Sequence, residues 1–264
     1  MAAIVVPRPA STVLTVRDGE NGYEILMLRR SESSTFMGGA YVFPGGAVDE
    51  EDGTNGTAFG LTDEVASDRL SLESGGLAHY VAALRELFEE AGLLIACTAE
   101  GEVFRASEKR DLDRLAEQRG ALNSGELRFV DMMRGEGLRV DLRGVAYLAH
   151  WITPEGLSRR FDTRFFVTMA PLGQLATHDA GETIADRWIR PTEALAAHAR
   201  GELEIMFPTR RNLEVIAHFH EAREVVSYAR SLGQITTVNP RRSVRDGVSV
   251  TLLPGDKGFD PDRD

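Results

Sequence analysis

Arg85-Glu86-Leu87-Phe88-Glu89-Glu90-Ala91-Gly92-Leu93 is the stretch on which the fold of this chain turns. On a helix, Glu86 and Glu90 stand at i and i+4, so their carboxylates leave one face about a turn apart, with Glu89 at the flank of the same patch. Leu84, Leu87, Phe88 and Ala91 take other angles around the axis and give the helix an apolar side to bury, and Gly92 suits the turn that ends it. Like charges at this spacing destabilise a bare helix by about a few tenths of a kcal/mol, and Arg85, four residues before Glu89, offsets only part of that. Hard divalent cations neutralise such a set, Mg²⁺ typically taking one or two protein carboxylates while keeping waters and substrate phosphate oxygens. An isolated Glu-x-x-Glu-Glu reads first as a solvated acidic face, and it is the upstream sequence that tips the balance toward a metal.

Upstream stands Val42-Phe43-Pro44-Gly45-Gly46-Ala47-Val48-Asp49. Pro44 biases Phe43 to an extended conformation, and the two glycines let the backbone turn and come close to a ligand. Together the two stretches resemble the box of the Nudix hydrolases, G-x5-E-x7-R-E-U-x-E-E-x-G-U, where U is a bulky aliphatic residue. Arg85, Glu86, Leu87, Glu89, Glu90, Gly92 and Leu93 match its second half. Counted from Gly46, the pattern places its Arg at position 60 rather than 85, an insertion of 25 residues (85 − 60). The lone Glu of the pattern falls on Asp52, with Glu51 beside it, and either of the two is available for that place.

The resemblance implies an α/β fold: an α/β/α sandwich around a mixed sheet, with the box (45–93) as loop-helix-loop, an insertion over about 53–78 and a C-terminal helical extension over about 191–233. It also implies roles. Glu86 and Glu90 would be the main metal ligands, Glu89 a further ligand or the group that orients water, and the carbonyl of Gly45 a backbone ligand. Arg85 would hold the glutamates, and the cofactor would be Mg²⁺ or Mn²⁺. Glu182, in a glycine-containing loop before a predicted strand, is either an ordinary exposed residue or the late acid that such proteins use as ligand or base.

A finer likeness concerns the substrate. Leu26-Met27-Leu28-Arg29-Arg30-Ser31 followed by Gly39-Ala40-Tyr41-Val42-Phe43-Pro44-Gly45-Gly46 is similar to the motif of the coenzyme A diphosphatases, although Thr35 stands where that motif has Arg. The enlarged box, with Arg160 to Phe166 downstream, resembles the peroxisomal and mitochondrial branch of that group. This implies a small-molecule nucleotide substrate, coenzyme A or acyl-coenzyme A, contacted by Arg30, Gly39, Phe43 and Gly46. ADP-ribose, NADH or a dinucleotide is the alternative within the class, and a non-hydrolytic ligand sensor is the alternative outside it.

Composition agrees with a soluble globule of 264 residues, with 42% apolar and 27% charged residues. The formal charge of −11 argues against nucleic acid or an anionic membrane as partner, since both need clustered positive charge. Lysine occurs only at 109 and 257, and arginine pairs at 29–30, 159–160, 210–211 and 241–242 are either solvated surface or forks for phosphate. Cys97 is the single cysteine, so no intramolecular disulfide forms; a buried thiol and a reducing cytoplasm fit. Met1 to Ala10 is too weakly apolar for a secretory signal, and no run approaches the ~20 apolar residues that span a bilayer.

Along the chain, Ser11–Val16 and Tyr23–Leu28 are predicted as a hairpin joined by a turn at Arg17–Gly22, with a short strand at Ala40–Phe43. Inside the insertion a helix is expected over Thr62–Leu70, capped by Thr62 and packed through Val65, Arg69 and Leu70. The insertion itself is expected beside the active site, because both its ends are anchored there. A buried strand at Leu93–Ala96 follows. Next come a helix at Ser107–Arg119 capped by Ser107, with Leu112, Leu115 and Ala116 inward and Gly120 at its end, and a short helix at Leu127–Met133. Strands are expected at Val145–Ile152, Arg160–Met169 and Thr183–Ile189. Helices follow at Thr192–Arg200 and from Pro208 through Val225 to Leu232, then an edge strand at Val248–Leu253 and a loose tail from Pro254. No repeats or Pro- or Ser-rich linkers divide the chain, so one domain over 1–264 is expected, and a homodimer is left open.

Overall fold

The computed structural model describes residues 5–32, 38–106, 108–179, 181–245, 248–256 and 259. Strands β1 (Arg8–Gly19) and β2 (Gly22–Arg30) form the expected hairpin, longer than predicted. Gly19 pairs with Gly22, so the turn is Glu20-Asn21 alone and Arg17 and Asp18 belong to the strand. Then come β3 (Tyr41–Val42), β4 (Gly45–Ala47), a 3₁₀ turn at Glu50–Gly53, β5 (Ala58–Phe59), α1 (Asp63–Leu70) and α2 (Gly76–Ala91). Beyond them lie β6 (Ala96–Thr98), α3 (Lys109–Asn123), α4 (Phe129–Gly135), β7 (Leu138–Asp141), β8 (Ala146–Ile152), β9 (Phe161–Met169) and β10 (Thr183–Ile189). The chain continues through α5 (Pro191–Ala199), α6 (Phe207–Ile216), α7 (Ala222–Ser231), β11 (Thr237–Val238), β12 (Arg241–Arg245) and β13 (Val248–Leu252).

Among the described residues, an eight-stranded sheet runs in the order β10-β2-β1-β9-β8-β11, with β3 added to β2 and β4 to β1. The β1–β9 and β8–β11 pairs are parallel and the others antiparallel, which makes the sheet mixed. Side chains alternate along β1 and β9, and the two faces build two cores. Val13 and Phe166 point to the face covered by α2, where Leu84, Leu87 and Phe88 meet them. Leu14, Phe165 and Val167 point to the other face, under α5, α6 and α7. This is the expected α/β/α sandwich.

Several local expectations give way to tertiary contacts. Leu93 and Leu94 are buried and Ile95 half-buried, but none is in a strand: the side-chain amide of Gln174 accepts from Leu94 N (2.8 Å) and donates to Leu94 O (2.9 Å) in a strand's place, and β6 starts only at Ala96. Thr62 caps α1 as predicted, accepting from Val65 N, but the packed side is Ala66, Ser67 and Leu70, and Val65 is exposed. In α3, Leu115 and Leu122 face inward while Leu112 and Ala116 are exposed, and Gly120 lies inside the helix. The predicted cap Ser107, Thr35 and most of the tail beyond Pro254 lie outside the described residues.

The long C-terminal helix is two. The hairpin of β1 and β2 intervenes at the break: Tyr23 donates from its hydroxyl to Ile216 O (2.6 Å), and Asp18 accepts from Ala222 N (2.8 Å). Glu224 accepts from the amides of His220 and Glu221, so a fresh helix starts at Ala222. The strand at Val248 pairs with β12 in a separate two-stranded ribbon instead of extending the main sheet. Cys97 is buried and unpaired, as expected. Among the described residues, no helix is long and apolar enough to cross a membrane.

Candidate active site

Arg85 organises the acidic face of α2. All five of its N–H groups are engaged: Nε and Nη2 donate to the two oxygens of Asp52 (2.9 and 3.1 Å), Nη1 to Glu86 (2.9 Å) and Glu89 (2.8 Å), and Nη2 also to the carbonyl of Ala47 (2.9 Å). Asp52, which is buried, therefore occupies the place of the lone box Glu; Glu51 points to the surface and pairs with Arg128. Asp52 also accepts from the amide of Asp49 (2.8 Å), closing the 3₁₀ turn that joins β4 to the insertion.

Glu90 is buried and accepts from the backbone N–H of Gly45 (3.0 Å), which ties α2 to the double glycine. Gly46 has no room for a side chain, because a Cβ would stand 2.4 Å from the Glu86 carboxylate. The far end of α2 is also held. Gly92 closes it with a positive φ, and Arg119 and Asn123 of α3 donate to the free carbonyl of Glu89.

Burial dominates the electrostatics. It pushes the Glu86 carboxyl up to about 7 against the pull of Arg85, and the Glu89 carboxyl up as well. Glu90 is driven well above the usual carboxylate range by burial and by the nearby Glu86. Carboxylates short of positive charge, with one arginine among them, have the donor chemistry for a hard divalent cation. As they stand, no three Asp, Glu, His or Cys side chains among the described residues converge on one point. Glu86 and Glu89 both accept from Nη1 of Arg85.

A cavity of about 710 Å³ opens beside this face. Its polar end is lined by Arg30, Gly45, Gly46, Glu86 and Glu182, and Arg30 pairs with Glu182 at 2.9 Å. Glu182 O also accepts from Ser31 N (2.9 Å), so the late loop and the end of β2 come together here. Phe43 lines the cavity and is almost fully buried. Its other end is mainly aromatic and aliphatic, with Trp151, Phe161, Phe165, Met206 and Phe207, and carries Thr153, Arg159 and Thr209 as polar neighbours.

Of the residues singled out in the sequence, Arg30, Phe43, Gly45, Gly46, Glu86 and Glu182 thus share one cavity. Arg85 and Glu89 line a second, smaller one of about 310 Å³, and Glu90 lies beneath Gly45. Gly39 is not among the lining residues. It makes a turn with φ 80°, where Arg29 donates to its carbonyl. The insertion packs α1 against α2 through Ala66 and Leu70 and does not line the large cavity; only Thr57 reaches the smaller one. Trp151, Met206 and Phe207 carried no sequence signal, since an apolar residue on a strand or at a helix start looks like core.

Glutamates on a helix set against a double-glycine strand, in an α/β/α sandwich, define a Nudix hydrolase. The family model for the NUDT19 Nudix domain matches residues 53–215, more than half the chain, and the chain belongs to that family. It is similar to the acyl-coenzyme A diphosphatase NUDT19 of Xenopus laevis, at 27% identity over 94% of this chain and 74% of that one, and of Homo sapiens, at 25% identity over 92% and 74%. A NUDIX hydrolase from Alicyclobacillus acidocaldarius has the same fold, with a TM-score of 0.66, 27% identity, and coverage of 85% of this chain and 97% of that one. The protein is accordingly an enzyme, a Nudix pyrophosphohydrolase.

Proposed function

We propose that the protein hydrolyses the diphosphate of coenzyme A or an acyl-coenzyme A, releasing adenosine 3′,5′-bisphosphate and the phosphopantetheine or its acyl thioester. The observation that most supports this is the shape of the large cavity. An acidic, glycine-lined end that suits a diphosphate continues into an apolar arm that suits a long substituent, in a chain whose relatives are named for that reaction.

Mg²⁺ or Mn²⁺ is the cofactor of this reading; Glu86, Glu90 and the carbonyl of Gly45 would hold it, with Glu89 a further ligand or the group that orients water. When bound, the ion polarises phosphoryl oxygens and lowers the pKa of water. The chain's own residues do the rest. Gly45 and Gly46 leave room for the diphosphate against the strand, and Arg85 fixes the helix through Asp52. Arg30 turns from Glu182 to the substrate's phosphate oxygens, where guanidinium geometry suits two oxygens at once. Glu182 then takes a proton from the attacking water as its oxygen bonds to phosphorus; the P–O–P bridge breaks and its electron pair leaves with the departing phosphate.

Incubation with coenzyme A, ADP-ribose and NADH in turn, with Mg²⁺ or Mn²⁺, tests the proposal by product analysis. Dominant release of adenosine 3′,5′-bisphosphate from coenzyme A, abolished in Glu90→Gln, is the expected result. Faster release of AMP from ADP-ribose or NADH would keep the mechanism and replace the substrate.

A further inference from the structure

The floor of the large cavity is a pair of rows across the sheet. Ala47, Ala10, Thr163 and Trp151 stand opposite one another on β4, β1, β9 and β8, and all four line the cavity. Gly45, Thr12 and Phe165 form the neighbouring row. These residues lie on the face away from α2, so the arm starts at the double glycine and crosses the sheet on the side opposite the catalytic helix. Three inter-strand steps of ~4.8 Å put Trp151 about 14 Å from Ala47.

The roof comes from the C-terminal part of the chain. Met206, Phe207 and Pro208 open α6 over the arm, and Pro240 and Thr251 close it from beyond the family-matched region. Tyr41 N donates to Glu204 O (2.7 Å), and Tyr41 bridges to Ile205, so the roof is fastened to the strand that leads into Phe43-Pro44-Gly45. At the far end Trp151 and Phe207 meet edge to face, with ring centroids 6.0 Å apart.

Resting on the functional reading above, we infer that this arm is the subsite for the pantetheine side of the substrate, and that Trp151 and Phe207 at its end are the residues that favour an acylated over a free thiol. The lengths agree. A pantetheine chain is equivalent to between four and five extended residues, about 15 Å at ~3.4 Å each, so with its phosphate at Gly46 its sulfur reaches the Trp151–Phe207 pair. The chemistry agrees as well: Thr12 and Thr163 offer hydroxyls along the floor to a chain that carries two amides, and the far end offers rings and Leu157 to an acyl group. Among the described residues, the aromatic end offers an adenine the hydroxyls of Thr153 and Thr209 and the guanidinium of Arg159 but no side-chain amide or carboxylate to match its paired donor and acceptor edge.

The test compares kcat/KM for coenzyme A and octanoyl-coenzyme A in the wild type, Phe207→Ala and Met206→Ala. Burial of two or three methylenes favours the octanoyl ester roughly tenfold or more in the wild type, and the ratio falls toward one in Phe207→Ala. Independently of turnover, a Trp188→Phe variant leaves Trp151 as the sole tryptophan. Without metal, its emission shifts with octanoyl-coenzyme A at lower concentrations than with coenzyme A. A chain-length profile that is flat in the wild type and unchanged in both variants overturns the subsite while coenzyme A hydrolysis stands. Equal losses on coenzyme A, its octanoyl ester and ADP-ribose in Phe207→Ala assign the arm to adenine and overturn it too. Cleavage of ADP-ribose with no coenzyme A compound cleaved overturns the functional reading instead, and the fluorescence titration then decides the arm by itself.

Discussion

Arg85 and Asp52 face each other as a buried fork, Nε on Oδ1 at 2.9 Å and Nη2 on Oδ2 at 3.1 Å, and this pair couples the loop after the double glycine to the acidic helix. Removing one member leaves the other charge buried. Asp52→Ala is expected to cost about 3 kcal/mol or more of folding stability, measured by urea unfolding, because the arginine loses two of its five acceptors in a dry site. An Asp52→Ala protein as stable as the wild type would mean that water, not the carboxylate, satisfies Arg85.

The two glycines, expected from the sequence in a loop but paired with β1 as part of β4, separate folding from activity. A Cβ on Gly45 would lie 2.5 Å from the carbonyl oxygen of Ser11 and 2.6 Å from the Cα of Thr12, atoms of β1 that cannot yield. Gly45→Ala should therefore lose about 2 kcal/mol of stability through overpacking. At Gly46 the obstacle is the Glu86 carboxylate, the mobile end of a side chain. Gly46→Ala should melt close to the wild type yet lose roughly a hundredfold in kcat, since Glu86 is pushed from its place. Thermal melts and initial rates on the same two preparations decide it; equal effects of both substitutions would count against the assignment of Glu86.

Glu90 is a carboxyl that burial holds well above its ordinary range, so its ionised form burdens the folded state. Glu90→Gln keeps an acceptor for the Gly45 amide and removes the charge. In the absence of metal the variant should unfold at the same or a higher temperature than the wild type, and it should gain much less stability when Mg²⁺ is added. Equal stabilisation of both proteins by Mg²⁺ would remove Glu90 from the metal site.

His79 supplies a pH dependence unrelated to the acids. It is buried on α2, shares a hydrogen bond with Ser11 (3.2 Å), and is held down to about 4 first by burial and then by the charge of Arg164, against the opposing pull of Asp162. Its folded pKa lies below its unfolded one, so its contribution is whole above pH 6.5 and is lost as pH falls toward 4, when only the unfolded chain takes up the proton. A displacement of this size is worth about 3 kcal/mol. Unfolding free energies of wild type and His79→Gln at pH 7.5 and pH 4.5 should differ in their pH dependence by an amount of that order, the variant being the less sensitive. Parallel curves would contradict it.

The sequence by itself determined the helix of Arg85 to Gly92, its apolar side, its glycine stop and the short strand that leads into the double glycine. Each of these is written in residues a few positions apart: spacing on a helix, φ limits at proline, the freedom of glycine. The hairpin of β1 and β2, the strands β8 to β10 and the Thr62 cap were legible for the same reason. What only the tertiary structure decided depends on partners distant in the chain. Asp52 rather than Glu51 occupies the box position because Arg85, 33 residues on, reaches it. Leu94 is held by a side chain 80 residues away instead of a strand, and the C-terminal helix breaks where Asp18 and Tyr23 bond its backbone. The aromatic arm was invisible for a related reason. Trp151, Met206 and Phe207 have the sequence signature of core residues, and only the sheet order that sets β4, β1, β9 and β8 side by side turns them into the wall of a cavity that begins at the glutamates.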